Sequence, residues 1–267
     1  MSFDTKALKN RIKSVDSTLH LTKAMELVAS SKIRKANINM AAASEYSGSV
    51  ENVIALLSGS RECKKSPFLK EPTGDKTLLL AIAGDRGLAG GYNVNIFRFL
   101  RDYENAEILP IGKRACERYG RGYASSEKFS SADAAELSKR LCTEFLEGKF
   151  DRLGIVYTRY VSMMLQTPDI KWILPIERTK DSKTSVIFEP DEVTVLGFAV
   201  PEYVSGVIMG CVRESFACEV AARRMAMDNA GKNARQIIDD LQIKYNRARQ
   251  GAITQEITEI VAGSGQQ

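Results

Sequence analysis

Residues 8–19 read Leu8-Lys9-Asn10-Arg11-Ile12-Lys13-Ser14-Val15-Asp16-Ser17-Thr18-Leu19, with apolar side chains at alternating steps of four and three. The same frame resumes at Ala29, Ile33, Ala36, Met40, Ala43, Val50, Ile54 and Leu57. Of fifteen consecutive seam positions, twelve are apolar; the exceptions are Thr22, Glu26 and Ser47. A stripe sustained over this many heptads predicts a long helix built to pair with another. At 1.5 Å per residue, some 50 residues make a rod of about 75 Å.

Proline placement supplies the partner. All seven prolines fall between Pro67 and Pro201, so residues 1–66 and 202–267 carry none. A proline in a helix interior removes a hydrogen bond and costs about 3 kcal/mol. Two proline-free arms of matched length predict two long terminal helices that pair antiparallel around a mixed middle. In the second arm Phe216, Val220, Met227, Ala230, Ala234, Ile237 and Leu241 keep heptad frame, interrupted by Arg223. Beyond Leu241 the apolar frame moves by one through Tyr245, Ala248 and Ala252, then again to Ile253, Ile257 and Ile260. Such a drift predicts a helix leaving a strict supercoil near its end.

Two stretches stay open on residue grounds alone. Around Lys23-Ala24-Met25-Glu26-Leu27-Val28 the helix is apolar on more than one side. It either meets something besides its partner helix or marks a local stutter. From Gly251 on, small and uncharged residues dominate up to a Gly-Ser-Gly tail. That end either frays or inserts into a socket.

The middle alternates strands and helices. Strands are expected at Leu78–Ala83, Ile108–Ile111, Leu153–Thr158 and Gln166–Ile176. Helices are expected at Val94–Tyr103, Lys113–Tyr119 and Ala132–Glu147. This alternation predicts an α/β layer with a mainly parallel sheet. The glycine-rich turn Gly84-Asp85-Arg86-Gly87-Leu88-Ala89-Gly90-Gly91-Tyr92-Asn93 follows the first strand. Its GxxGxxGG spacing fits neither the P-loop GxxxxGK[ST] nor the dinucleotide GxGxxG. A turn held by backbone hydrogen bonds and by Asp85 and Arg86 is expected instead, and no cofactor.

Composition narrows the function. The charge of +5 permits acidic partners without requiring nucleic acid. The five cysteines form no CxxC pair and the chain has one histidine, His20, so no metal site is expected and reduced thiols are. No apolar leader is visible, and the longest apolar run, Leu78 to Ala83, is far too short to span a bilayer, so any membrane role is peripheral. His20 has no evident carboxylate or nucleophile beside it, and there is no catalytic constellation. Lys32-Ile33-Arg34-Lys35 and Arg223-Arg224 are solvated helix faces or surfaces for acidic partners. Two other classes compete on these grounds: an enzyme with a nucleotide-binding α/β core and a helical oligomerisation arm, and a basic coiled coil for nucleic acid. The arms are too poor in aromatic residues to stack single strands.

Three segments resemble one family. They are Arg11–Val15 with Leu21–Arg34, including Lys23-Ala24-Met25-Glu26-Leu27-Val28; the turn Gly84–Asn93; and Tyr245-Asn246-Arg247-Ala248-Arg249-Gln250-Gly251-Ala252-Ile253-Thr254-Gln255-Glu256-Ile257-Thr258-Glu259-Ile260-Val261. Their order and spacing are similar to the γ subunit family of F-type ATP synthases over the whole chain.

The resemblance implies an α/β protein in which a long antiparallel coiled coil (residues 1–60 and 201–267) flanks a Rossmann-like domain (61–200). It implies a non-catalytic rotor coupling ion translocation to ATP synthesis or hydrolysis. The implied partners are a hexamer of α and β subunits around the coil, and the ε subunit and membrane c-ring at the foot; nucleic acid is not among them. The implied location is peripheral, on the cytoplasmic side of a bacterial inner membrane or its organellar equivalent. It places Arg249, Gln250 and Thr254 against a β-subunit loop, with Lys23, Met25, Arg223 and Glu256 as further contacts. Some positions depart from the family pattern. Ala89 stands where the family usually has cysteine, and Gly231 and Gly251 stand where helix formers are more usual. The middle is short, without the cysteine-bearing insertion of the chloroplast type, so thiol control is not implied.

Overall fold

The computed structural model describes residues 2–72, 74–179 and 186–264. In chain order the elements are α1 (Ser2–Ser58), β1 (Thr77–Ile82), α2 (Tyr92–Phe99), β2 (Glu107–Ile111), α3 (Lys113–Tyr119), α4 (Ser131–Leu146), β3 (Arg152–Tyr160), β4 (Gln166–Leu174) and α5 (Glu192–Ser264). Short 3-10 turns follow α1 at Glu62–Lys65 and Pro67–Leu69, and α2 at Leu100–Tyr103. The chain forms two compact units. One is made of residues up to Ala29 with those from Arg224 onward, and the other spans Ser30–Arg223.

The Ser30–Arg223 unit is built on a four-stranded sheet of order β2-β1-β3-β4. β1 pairs in parallel with β2 and with β3, whereas β4 returns antiparallel to β3. The mainly parallel sheet is thus present, with one antiparallel edge. Strand alternation sorts the core into two faces. Leu78, Leu80 and Ile82 join Leu153 and Ile155 beneath Leu137 and Leu141 of α4, Ile54 and Leu57 of α1, and Leu196, Val200, Val204 and Val207 of α5. Leu79, Ala81 and Val156 face the other way onto Ile96 and Leu100. Leu80 is fully buried, and truncating such a leucine to alanine costs about 2–5 kcal/mol.

α4 starts where Ser130 accepts from the Asp133 amide while the Asp133 carboxylate accepts from the Ser130 amide, a capping box. α5 begins ten residues earlier than the proline count predicts, and Pro201 lies inside it. Asp191 caps this earlier start, accepting from the Thr194 amide at 2.8 Å and from the Thr194 hydroxyl at 2.7 Å. The residue four before Pro201 is exposed Gly197, so the carbonyl left without a helical donor can be solvated. Burial of Leu196, Val200 and Val204 on either side of the proline offsets its cost.

By length and composition alone α5 contains a window apolar enough to cross a membrane, and half of that window is buried inside the protein. All five cysteines are free thiols, and Cys63, Cys142, Cys211 and Cys218 are buried. Burial pushes the Cys142 thiol up to about 12.

In the other unit the first part of α1 lies along the later part of α5. Gly231 faces Leu19 and Thr22, and Lys23 lies within electrostatic reach of Asp228, so the two helices run antiparallel. Thr22 is an exception only in chemistry. It is 7% exposed in the seam, and its hydroxyl donates to the Leu19 carbonyl at 2.9 Å, which satisfies the polar atom. The seam of α5 differs from the expected one. Met227, Ala234 and Leu241 are buried, but between the last two it is Ile238 that turns inward, while Ile237 is 45% exposed. With Gly231 and Ile238 in frame, the four-three rhythm runs on through Tyr245, Ala248 and Ala252 without a shift at Leu241. The stripe ends there, and residues 253–262 are exposed all round.

Candidate functional site

The glycine-rich turn between β1 and α2 is built from its neighbours inward. The Gly84 amide donates to Asn93 Oδ1 at 2.9 Å, and Asn93 Nδ2 donates to the Arg86 carbonyl at 3.3 Å. The Asn93 side chain therefore laces the turn from below. Asp85 points away from it, to the loop after α3. Its carboxylate accepts from the amides of Ser126 (2.8 Å), Lys113 (3.2 Å) and Glu127 (3.2 Å), and from the Ser125 hydroxyl. Burial alone would raise the Asp85 carboxyl, but these hydrogen bonds outweigh it and hold the group below its ordinary value. Asp85 thus helps to hold the turn, as expected, by anchoring it to that loop, whereas Arg86 contributes through its carbonyl.

In doubly wound sheets ligands enter the crevice at the carboxyl ends of strands on either side of the switch in strand order. Here that crevice lies beyond β1 and β3, and α5 fills it. β1 pairs with β3 only as far as Ala81 with Val156, so β3 continues with unpaired backbone groups on that side. Side chains of α5 take them. The Thr158 amide donates to Ser215 Oγ at 3.0 Å, the Tyr160 amide to Glu214 Oε1 at 2.8 Å, and Cys218 Sγ to the Thr158 carbonyl at 3.3 Å. Ala89, Tyr92 and Cys218 close the space as a small apolar cluster.

One turn further along α5, Glu219 is 3% exposed and meets Arg223 Nη2 at 2.5 Å. Arg223 Nη2 also donates to the Gly87 carbonyl at 3.3 Å and reaches the Arg86 carbonyl at 3.5 Å. Burial raises the Glu219 carboxyl, and the hydrogen bond and charge of Arg223 pull against it. The pair was missed in the sequence, although a signal was there: Glu219 is a lone charge inside Ala217-Cys218-Glu219-Val220-Ala221-Ala222, with an arginine at i+4.

The other predicted contacts belong to the helical pair. Lys23 is exposed and bonds Glu26 at 3.0 Å; Met25 beside it is half-buried. Leu21, Leu27 and Val28 are 61%, 60% and 58% exposed, so the helix is indeed apolar off its seam. Arg249, Gln250, Thr254 and Glu256 are all exposed, and the Thr254 hydroxyl donates to the Gln250 carbonyl at 3.0 Å. Lys23 stands by Asp228, so residues 249–256 begin about 30 Å further along α5 at 1.5 Å per residue. The structure therefore gathers these residues into two zones, and Arg223 belongs to the other compact unit. Gly265 of the tail lies outside the described residues. His20 has a carboxylate one turn back, Asp16 at 3.7 Å, and both are well exposed, a surface pair. Among the described residues no group of His, Cys, Asp and Glu is placed to hold a metal ion.

One compact unit thus carries a mainly parallel sheet whose ligand crevice is filled by α5, and the other an antiparallel pair of long helices. The family model described as ATP synthase matches residues 4–265. Among curated relatives, the ATP synthase gamma chain of Ruminococcus albus is 39% identical, covering 97% of both chains. That of Moorella thermoacetica is 37% identical over 96% of both. The fold is also that of a chain in the rotor of Euglena gracilis mitochondrial ATP synthase (TM-score 0.66, 17% identity, 95% of this chain and 100% of that one). It matches a chain in the central stalk and c-ring of the Tetrahymena thermophila mitochondrial ATP synthase (TM-score 0.63, 19% identity, 79% and 99%). The chain belongs to the ATP synthase gamma chain family.

Proposed function

We propose that this chain is the central-stalk rotor of an F-type ATP synthase. In this role it couples ion translocation through a membrane c-ring to ATP synthesis or hydrolysis in a surrounding hexamer of α and β subunits, and it is itself non-catalytic. The observation that carries this is the end of α5. There Ile253, Ile257 and Ile260 are 44–71% exposed on a stretch of helix that no other described element covers. An exposed apolar stretch of this size needs a partner.

The α and β subunits are that partner, gripping the tip through Arg249, Gln250, Thr254 and Glu256, with Lys23 and Met25 meeting them lower on the helical pair and Arg223 near the glycine-rich turn. Hydrogen bonds of about 0.5–1.5 kcal/mol net each suit a contact that must break and reform as the shaft turns. The ε subunit and c-ring take the α/β unit. The location is peripheral, on the cytoplasmic side of a bacterial inner membrane or its organellar equivalent. The filled crevice beside β1 and β3 supports a non-catalytic role, because α5 occupies the space a nucleotide would need.

The test is reconstitution with α and β chains. ATPase activity should require this polypeptide, and replacing Arg249, Gln250 and Thr254 together with alanine should lower turnover while the isolated chain stays folded. Unchanged turnover and coupling would count against the assignment.

A further inference from the structure

Leu88 is the one non-glycine residue with positive φ among the described residues, at 62°, and it is 64% exposed. An apolar side chain held in a left-handed backbone conformation while burying little of its own surface does not serve the fold; such strain marks a functional position. The turn that carries it is also tied to α5. The carbonyls of Arg86 and Gly87, immediately before Leu88, both face Arg223 Nη2. Arg223 is oriented by Glu219 at 2.5 Å, and the pair is shielded from water, with side chains 14% and 3% exposed. Gly84, at the start of the turn, has no side chain where the Glu219 carboxylate packs.

We propose that Glu219 and Arg223 are positioning residues: the pair locks the Gly84–Gly91 turn onto α5 and so presents Leu88 in one orientation to the chains around the rotor. This rests on the proposed function and refines the place of Arg223 in it. The guanidinium acts through the turn rather than by reaching a neighbouring subunit. Lysine is a poor substitute for it, because a compact, strongly hydrated ammonium on a flexible stem is not pre-organised to hold a buried carboxylate and two backbone carbonyls at once.

The experiment compares Arg223→Lys, Glu219→Gln, Leu88→Ala and the double variant Arg223→Lys/Leu88→Ala in the full chain. Hydrogen exchange of the amides of residues 86–91 should accelerate about tenfold in Arg223→Lys and in Glu219→Gln, with exchange in β1 unchanged. In the complex with α and β chains, Arg223→Lys and Leu88→Ala should each lower ATPase turnover. The double variant should be no slower than the worse single one, because both act through one element. Lowered turnover with unchanged exchange at 86–91, or losses that multiply in the double variant, overturns the proposal. Should Arg223→Lys misfold by circular dichroism, Glu219→Gln, which keeps the side-chain shape, is read in its place. If the unaltered chain fails to support ATPase activity, the proposed function fails, while the exchange measurement still decides whether the pair holds the turn.

Discussion

A methyl group on Gly84 would lie 2.7 Å from the carboxyl carbon of Glu219 and 2.9 Å from one of its oxygens. The glycine is there because a helix from the far end of the chain brings a buried carboxylate against the backbone. Glu219 cannot swing clear without releasing Arg223. Gly84→Ala should therefore destabilise the protein by about 1–3 kcal/mol in urea unfolding. The loss should shrink when Glu219→Ala is introduced as well, since the obstruction is then gone. Equal losses in the two backgrounds would refute the packing relationship.

Gly231 and Gly251 are a different kind of glycine. A Cβ on Gly231 would meet only Thr22 Oγ1 at 3.6 Å and Leu19 Cδ1 at 3.8 Å, ordinary contact, and one on Gly251 would meet nothing within 4 Å. Both lie in the interior of α5, where glycine is less favourable than alanine by about 1 kcal/mol. Gly231→Ala and Gly251→Ala should each raise helix stability by roughly 0.5–1 kcal/mol. Thermal melts read by far-ultraviolet dichroism check this; a lower midpoint for Gly231→Ala would mean that the two helices need closer approach than their atoms indicate.

The Asp85 carboxyl is held below its ordinary value of 3.8. A carboxylate lowered in the folded state contributes stability above its unfolded pKa, and that contribution is lost as pH falls through the folded one. Asp85→Asn should therefore be less stable than the native chain at neutral pH, with the gap narrowing below about pH 4. Denaturant midpoints measured from pH 7 to pH 3 would show it. A gap independent of pH would assign the effect to lost packing rather than to the carboxylate charge.

Met25 is half-buried next to exposed Leu21, Leu27 and Val28. If this face meets surrounding subunits, Met25→Lys adds a charge beside an apolar contact. It should reduce the ions pumped per ATP in reconstituted vesicles, more than it reduces ATPase turnover. Undiminished pumping in that variant sinks the contact.

Much of this fold is legible in the chain. The four-three apolar stripe of residues 8–57 gives α1, and β1 to β4 with α3 and α4 fall within one or two residues of the runs that predict them. These features are local: spacing along one strand or helix is set by which face must be apolar. The start of α5 was misjudged because a proline-based boundary ignores what tertiary burial can offset at Pro201. The inward turn of Ile238 in place of Ile237 depends on the opposing helix, which no single-helix frame contains.

The site divides along the same line. Arg249, Gln250 and Thr254 are read from a contiguous motif on one exposed helix, and the structure adds their exposure without changing their neighbours. The glycine-rich turn could not be read that way. Its ties run to Asn93, to the loop at 125–127, and to Glu219 and Arg223 more than 125 positions on. By itself the sequence determined two long apolar-striped helices and an α/β middle, because each follows from periodicity within one segment, whereas the tip contacts rest on the resemblance of one contiguous motif to the family. Only the tertiary structure decided what Gly84, just past the end of β1, is for. That answer depends on a carboxylate and a guanidinium delivered from a distant helix into a space too tight for any other side chain.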